Sequence, residues 1–263
     1  MSLPTAEIVC LGNELLIGVT INTNAAFIGE QLTKLGYEVR RVTSIRDDLE
    51  LALEFFKEVF ERKPNVIVVT GGLGPTYDDI QLEVISKATG LELVENREAL
   101  KQIKKYYTKK GYGLTPERKK MALLPKTARV LDNGVGGAPG CHLIYKGMEI
   151  FCLPGVPTEM KDIFIRHIVP YLAKKNSIRM FETKFMLLNC IESQIAPYIN
   201  KVKKDYPELY VKSHPAYKDK VGIVIHISGT GEESEKKVEE AKEELQKLFL
   251  ENVPSIEIVP VEG

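Results

Sequence analysis

The chain contains no tryptophan, only four cysteines and four histidines, and no surplus of charge: Lys+Arg and Asp+Glu stand at 36 each. Balanced charge removes the long-range field that would gather nucleic acid or acidic membrane, so a small molecule or a protein is the expected partner and nucleic acid is not. No apolar run approaches membrane-span length, and the N-terminus lacks the basic and apolar regions of a signal peptide. The expected address is therefore the cytoplasm, with no membrane partner. Cys10, Cys141, Cys152 and Cys190 have neither metal-ligand spacing nor the density of a disulfide framework. His142, His167, His214 and His226 form no Ser-His-Asp or Cys/His constellation, so a structural role is expected for each.

What is present is ordinary globular material, 44% hydrophobic and 27% charged over 263 residues, enough for one large domain or two smaller ones. The informative stretch is Val66-Ile67-Val68-Val69-Thr70-Gly71-Gly72-Leu73-Gly74-Pro75-Thr76-Tyr77-Asp78-Asp79. Its β-branched run reads as a strand buried on both faces of a parallel sheet. Glycines stop it, and Thr76, Asp78 and Asp79 offer N-cap chemistry to a helix from Ile80 to Thr89. Strand, glycine turn and helix start make an anion site. Two carboxylates at such a site repel a bare phosphate, which calls for a divalent cation between them and the ligand. Asp79 as a mere helix cap is the competing reading.

The first strand, Ala6 to Leu11, runs into Gly12-Asn13-Glu14, at the same sheet edge as the glycine turn. Glu14 reaches the metal or ligand there, or is a solvated loop carboxylate. Asn22 and Asn24 read individually as helix caps. Asp47 and Asp48 cap a helix carrying Leu49, Leu53, Phe56 and Phe60 on one stripe. The resulting β-α-β-α-β order specifies a parallel sheet covered by helices. Further on, Asp132 to Gly140 is a second glycine-rich loop. Leu143–Tyr145 and Met148–Leu153 form a hairpin turning at Lys146-Gly147 that sets Cys141 opposite Cys152, as two packed thiols. Pro154-Gly155-Val156-Pro157-Thr158-Glu159 is a third junction of strand end and helix start, continuing as a helix to about Leu172. A polar break, Lys174 to Ser177, divides domains 1–174 and 175–263. The second domain reads β-α-β-β-α-β, with strands from Arg179, Leu209, Val221 and Ile256 and helices from Ser193 and Glu232, a ferredoxin-like order.

Five segments, Gly12–Gly18, Asn22–Asn24, Thr70–Asp79, Gly137–Gly140 and Leu153–Met160, together resemble the N-terminal region of the CinA (competence-damage-inducible) family, within the molybdopterin-binding superfamily that includes MogA and MoaB. The resemblance implies a three-layer α/β domain with a mostly parallel sheet, followed by a small α+β domain of ferredoxin-like or KH-like type. It implies divalent-metal-dependent hydrolysis of a nucleotide pyrophosphate such as ADP-ribose; the alternative is a molybdopterin- or nucleotide-binding protein of MogA/MoaB type without turnover. Asp78, Asp79 and Glu14 then stand at catalytic positions, with Asp78 and Asp79 as ligands of Mg²⁺ or another divalent ion (Co²⁺, Mn²⁺), and K⁺ as an accessory ion. Gly12, Asn13, Asn24, Gly71, Gly72, Gly74, Thr76, Gly155, Pro157 and Glu159 fall at ligand- or phosphate-binding positions, and a homodimer is implied. Two departures stand out: no C-terminal deamidase domain follows Gly263, so that activity is expected to be absent, and Gln81 occupies a position where the family tends to have threonine.

Overall fold

The computed structural model describes residues 3–216, 222–231 and 233–261, which form two compact units, Met1–Lys175 and Asn176–Gly263. The first unit begins with β1 (Thr5–Leu11), the single-turn α1 (Asn13–Leu16), α2 (Thr23–Lys34), β2 (Glu38–Ile45), α3 (Leu49–Arg62) and β3 (Val66–Thr70). It continues with α4 (Gln81–Thr89), β4 (Leu93–Glu95), α5 (Arg97–Lys109), α6 (Pro116–Lys120), β5 (Leu123–Pro125) and β6 (Arg129–Leu131). The hairpin β7 (Gly140–Tyr145) and β8 (Met148–Leu153) leads into α7 (Pro157–Ile163) and α8 (Val169–Lys175), joined by a π turn at Phe164–Ile168.

Six strands form one sheet in the order β2-β1-β3-β8-β7-β6, parallel from β2 to β8 and antiparallel at β7 and β6. Every residue of β3 is buried, as its β-branched run requires, because successive side chains enter opposite cores. Ile67 and Val69 join Phe56, Ile103 and Leu143 on one face. Val66 and Val68 join Ile28, Phe151 and Phe164 on the other. The unit is therefore a three-layer α/β sandwich with a mostly parallel sheet. Sequence periodicity missed the small β4–β5 pair, three residues a strand, because segments that short carry almost no alternation. The helix expected to run unbroken to Leu172 instead widens at Phe164–Ile168: Pro170 has no N–H to return to the preceding turn.

At the hairpin, Lys146 and Gly147 both take positive φ (48° and 83°), the pattern of a type I′ turn, and Cys141 lies opposite Cys152 in register. Both thiols are free and buried, and the Cys141 contact together with burial pushes the Cys152 thiol well up. The opposite, amino-terminal edge of the sheet buries two glutamates. Arg62 grips Glu7 through both carboxylate oxygens at 2.8 Å, while Glu149 is held by His142 at 2.5 Å, by Tyr171 at 3.1 Å and by Lys175.

The second unit contains β9 (Met180–Leu188), α9 (Glu192–Asp205), β10 (Tyr210–Ala216), β11 (Gly222–Thr230), α10 (Ser234–Asn252) and β12 (Glu257–Pro260). Its antiparallel sheet runs β10-β11-β9-β12, the split-βαβ arrangement that the element order specifies. Val221 and Glu232, the expected starts of a strand and a helix, lie outside the described residues.

Candidate functional site

The carboxyl ends of β1, β3 and β8 lie side by side, since Cys10 pairs with Thr70 and Thr70 with Leu153. Three consecutive strands of the sheet thus deliver Gly12, Gly71 and Pro154 to one edge. The Gly71 N–H donates to Leu153 O at 3.2 Å, which welds the turn after β3 to the end of β8. Gly71 has φ of 97°, and a Cβ there would sit 2.0 Å from the Leu11 carbonyl oxygen, so only glycine fits between the β1 and β3 ends.

Three buried polar side chains fix these turns from below. Gln81, fully buried at the start of α4, donates through Nε2 to Gly71 O and to Leu153 O, the latter at 3.2 Å. Asn24 donates through Nδ2 to Gly155 O at 2.7 Å and to Thr70 Oγ1 at 3.2 Å. Thr70 in turn donates to Pro154 O at 2.8 Å. Carbonyls are thereby drawn inward, while the N–H groups of Gly72, Leu73 and Gly74 have no acceptor among the described residues. Unpaired amides at a strand-to-helix turn form a nest for an anion. Asn22 is the cap of α2, accepting from Ala25 N at 3.0 Å; Asn24, expected to cap as well, lies inside the first helical turn and is a scaffold for the edge instead.

A cavity of about 400 Å³ opens over this edge. Gly12, Glu14, Gly71, Gly72, Gly74, Thr76, Asp78, Asp79, Gly155 and Glu159 all line it. Asn24 and Pro157 line a smaller neighbouring cavity of about 80 Å³ that shares Glu14, Gly71 and Gly155 with the first. Asn13 lines neither, and contributes its backbone N–H to Asp47 at 2.9 Å.

The acidic wall differs from the expected helix cap. α4 starts one residue after Ile80, and no side chain caps it. Asp79 instead folds back on its own turn, where one carboxylate oxygen accepts the Thr76 N–H at 2.8 Å and lies 2.6 Å from the Thr76 hydroxyl. Short polar side chains readily make such local closures in place of a cap. Asp78 meets the same hydroxyl from its other side. One hydroxyl has one proton, so it cannot satisfy both carboxylates at once. The Thr76 hydroxyl and the Asp78 N–H hold the Asp78 carboxyl below its ordinary range, aided by Lys120. Lys120 Nζ itself binds the carbonyls of Thr76 and Asp79 at 2.8 and 2.9 Å, and so shapes the turn.

Asp47 completes the wall and was not foreseen as a site residue. Asp48 alone caps α3, through Leu51 N at 3.0 Å, leaving Asp47 to face the cavity. Burial pushes its carboxyl up; the Asn13 N–H opposes this, and the charges of Glu14, Asp78 and Asp79 reinforce it. Asp47 thus feels the other three carboxylates of this wall. Among the described residues no group of three His, Cys, Asp or Glu side chains is placed to hold a metal ion. The all-oxygen donor set fits a hard divalent ion held by one or two carboxylates, with water and ligand oxygens completing its shell, as Mg²⁺ accepts.

The far wall comes from α5, α7 and the second glycine-rich loop. Asn133, buried, folds that loop: Oδ1 accepts from Val135 N and Gly136 N at 3.0 and 2.7 Å, while Nδ2 donates to Ala138 O and Glu159 Oε2 at 2.8 and 2.6 Å. A Cβ on Gly136 would fall 2.0 Å from the Glu159 carboxyl, which explains one glycine of the run. Burial pushes the Glu159 carboxyl up, with Asn133 and Lys110 opposing. Tyr106, Tyr107 and Met121 add apolar surface that sequence reading missed, because a tyrosine pair inside a lysine-rich helix reads as core packing.

Known proteins are similar to this chain over much of its length. Residues 7–174 match the model of a family described as "Probable molybdopterin binding domain". A protein of Sulfurisphaera tokodaii is 43% identical over 248 residues, covering 92% of this chain and 94% of its own. One from Saccharolobus islandicus is 42% identical over 244 residues, with 91% and 92% covered. Among solved structures, that of the protein CinA from Thermoplasma acidophilum, described as of unknown function, is 42% identical with a TM-score of 0.59, covering 64% of this chain and 98% of that one.

Proposed function

The chain belongs to the family of probable molybdopterin binding domains and is of CinA type, and from that premise we propose that its cavity hydrolyses the pyrophosphate linkage of a nucleotide such as ADP-ribose. One observation carries the reading: Gly72 to Gly74, whose amides are unpaired among the described residues, line the same cavity as Glu14, Asp47, Asp78 and Asp79. An anion nest opposite an acidic wall is self-defeating unless a cation stands between ligand and acids. Asp78 and Asp79 would hold Mg²⁺, Mn²⁺ or Co²⁺, with Glu14 lining the same cavity. The ion supplies charge neutralisation on the pyrophosphate and lowers the pKa of water.

The chain's own groups do the rest. Backbone N–H groups of Gly72 to Gly74 bind the phosphate oxygens and stabilise the charge that builds on them as water attacks phosphorus. Thr76 and Lys120 keep the acidic turn in place. Glu159, which lines the far wall of the cavity and is raised by burial, would be the base that takes the proton from water. Tyr106 and Tyr107 line the cavity and would pack against the organic part of the ligand. Hydrolysis of ADP-ribose yields AMP and ribose 5-phosphate, and release of AMP with and without Mg²⁺, Mn²⁺, Co²⁺ and K⁺ tests the reading. No release under any metal, with Asp79→Asn indistinguishable from wild type, overturns it. The second reading, binding of a pterin or nucleotide without turnover, is consistent with the family description and predicts ligand-dependent thermal stabilisation alone.

A homodimer belongs to the same proposal. Ile17, Val19 and Ile21 stand 65%, 76% and 85% exposed in the segment between α1 and α2, beside the acidic wall. A second copy covering them is expected in light scattering, and Val19→Lys with Ile21→Lys should return a monomer.

Among the described residues no helix is long and apolar enough to cross a membrane.

A further inference from the structure

A second cavity, about 630 Å³ in volume, lies on the other side of Tyr106 from the first, and Tyr106 lines both. Its walls are one face of α5 and the backbone of Gly134 to Gly136. In a chain with no net charge, this region is lopsided: residues 97–120 contain nine Lys or Arg and two Glu. Lys101, Lys105 and Lys109 succeed one another at i, i+4 spacing, so they stack along one helical face, and all three line the cavity.

Stacked like charges weaken a helix. Elsewhere the chain avoids the problem. On α10, Lys236, Lys237, Lys242 and Lys247 each meet a glutamate. Lys101, Lys105 and Lys109 meet none among the described residues. Of the acids at this cavity, Asp132 is taken up by Arg166 and His167 at 3.0 Å each, which leaves Glu98 at the far end of the helix.

An independent sign comes from Gln102, between the lysines. Its Oε1 accepts the Asn133 N–H at 3.1 Å, which fixes the orientation of the amide. The Nε2 group is then a donor, buried and without an acceptor. A buried donor without a partner costs stability; Gln102 lines the cavity, so a small shift of its side chain would bring Nε2 to an anionic oxygen held there. Cation excess, stacked like charges and an orphan donor converge on one concave space rather than on an open surface, the form of a small-ligand subsite rather than a track for a polymer backbone.

We propose that this cavity is an anion subsite that takes a phosphate group at the far end of the ligand, beyond Tyr106, which makes the preferred ligand a nucleotide with a second phosphate remote from the one held at Gly72 to Gly74. The nucleotide part rests on the function proposed above; the anion affinity of the subsite does not. Lys101, Lys105 and Lys109 supply charge, Gln102 Nε2 supplies a directed hydrogen bond, and Tyr106 separates the two phosphates while contacting what joins them.

Two measurements on the full chain test this. Calorimetry compares AMP with adenosine 3′,5′-bisphosphate. The second phosphate is expected to tighten binding about tenfold at low salt, as charge-assisted contacts do. That gain should vanish in the Lys101→Gln, Lys105→Gln double variant, whose affinity for AMP stays at the wild-type level. Where AMP binds, equal affinities in wild type, or a gain that survives the double variant, overturn the nucleotide part of the proposal. In the second measurement, inorganic tripolyphosphate is titrated while the Gln102 side-chain amide is followed by NMR. A saturable shift that the double variant abolishes supports the subsite even if neither nucleotide binds, an outcome that would remove the nucleotide reading alone. An unmoved Gln102 amide overturns the subsite whatever the nucleotides do.

Discussion

Thr76 closes on Asp79 twice, donating its backbone N–H at 2.8 Å and holding its hydroxyl 2.6 Å from the same carboxylate oxygen. The contact orients Asp79 toward the cavity without spending its second oxygen. Asp79→Asn is expected to abolish metal-dependent release of AMP, by about 100-fold or more, since a group acting on developing charge typically contributes that much. Thr76→Val leaves the acid but removes its hydroxyl partner, so metal affinity should fall about 10- to 100-fold, as losing an outer-shell contact does. Metal titration against turnover separates the two. If Thr76→Val leaves metal dependence unchanged, the hydroxyl does not orient the acids.

Glu159 carries a pH prediction of definite sign. Burial raises its carboxyl above the ordinary value of 4.5, so folding favours its protonated form. Its favourable contribution is present below 4.5 and is lost as pH rises through the raised value. At neutral pH the charged group therefore costs stability. Glu159→Gln keeps an acceptor for Asn133 and removes the charge, so thermal midpoint at pH 7.5 should rise, on the order of 2 °C once solvent screening of this half-exposed group is allowed for. Turnover should fall in the same variant, and the acid limb of the wild-type rate profile should lie above the range of a free carboxylate. A lower midpoint at pH 7.5 would contradict the assignment.

The β3 strand, the glycine turn and the pairing of Cys141 with Cys152 were legible in sequence because each rests on local chemistry: β-branched runs, positive-φ glycines, a two-residue hairpin. The collection of Gly12, Gly71 and Gly155 at one edge also followed, since parallel strands put their carboxyl ends together. What sequence hid was direction. Asp47 and Asp48 are equivalent as letters, yet one caps α3 and the other faces the cavity. Asp79, read as a metal ligand with helix capping as the competing role, closes its own turn and caps nothing. Gln81 read only as a departure from a family threonine, and its work on two backbone carbonyls depends on β8, 72 residues away in sequence.

That work gives a third prediction. Gln81→Thr introduces the threonine that the resemblance implies but cannot reach both Gly71 O and Leu153 O, so both carbonyls lose a buried donor. A loss of about 1 to 3 kcal/mol in chemical denaturation is expected for a buried group left unpaired. Hydrogen exchange at Gly71 to Gly74 should quicken more than exchange in β1, because the amide nest loses its underpinning. Gly71→Ala, which adds a Cβ 2.0 Å from Leu11 O, should be more damaging still, since the two strand ends must separate. Wild-type exchange rates in Gln81→Thr would show that the turn holds without it.

The buried cluster at the other edge of the sheet should set the acid limit of the first unit. His142 is stacked on Phe151 at 4.4 Å, and burial lowers its pKa from 6.5 although Glu149 pulls the other way. Glu149 is also lowered from 4.5: Lys175, His142 and Tyr171 together overcome its burial. Both folded values lie below the unfolded ones, so both contributions are intact above the unfolded pKa and fade as pH falls. Stability should decline first below about pH 6.5 through His142 and more steeply below about pH 4.5 through Glu149. Glu149→Gln should lose about 2 kcal/mol at pH 7, less than the 3 to 5 usual for breaking a buried pair, because Lys175 is 46% exposed and can return to water. The same variant should flatten the profile below pH 4.5 while leaving the step near pH 6.5, which His142→Phe should remove. Denaturation midpoints at half-unit pH intervals distinguish the two steps, and a profile for Glu149→Gln parallel to wild type below pH 4.5 would place the acid-sensitive carboxylate elsewhere.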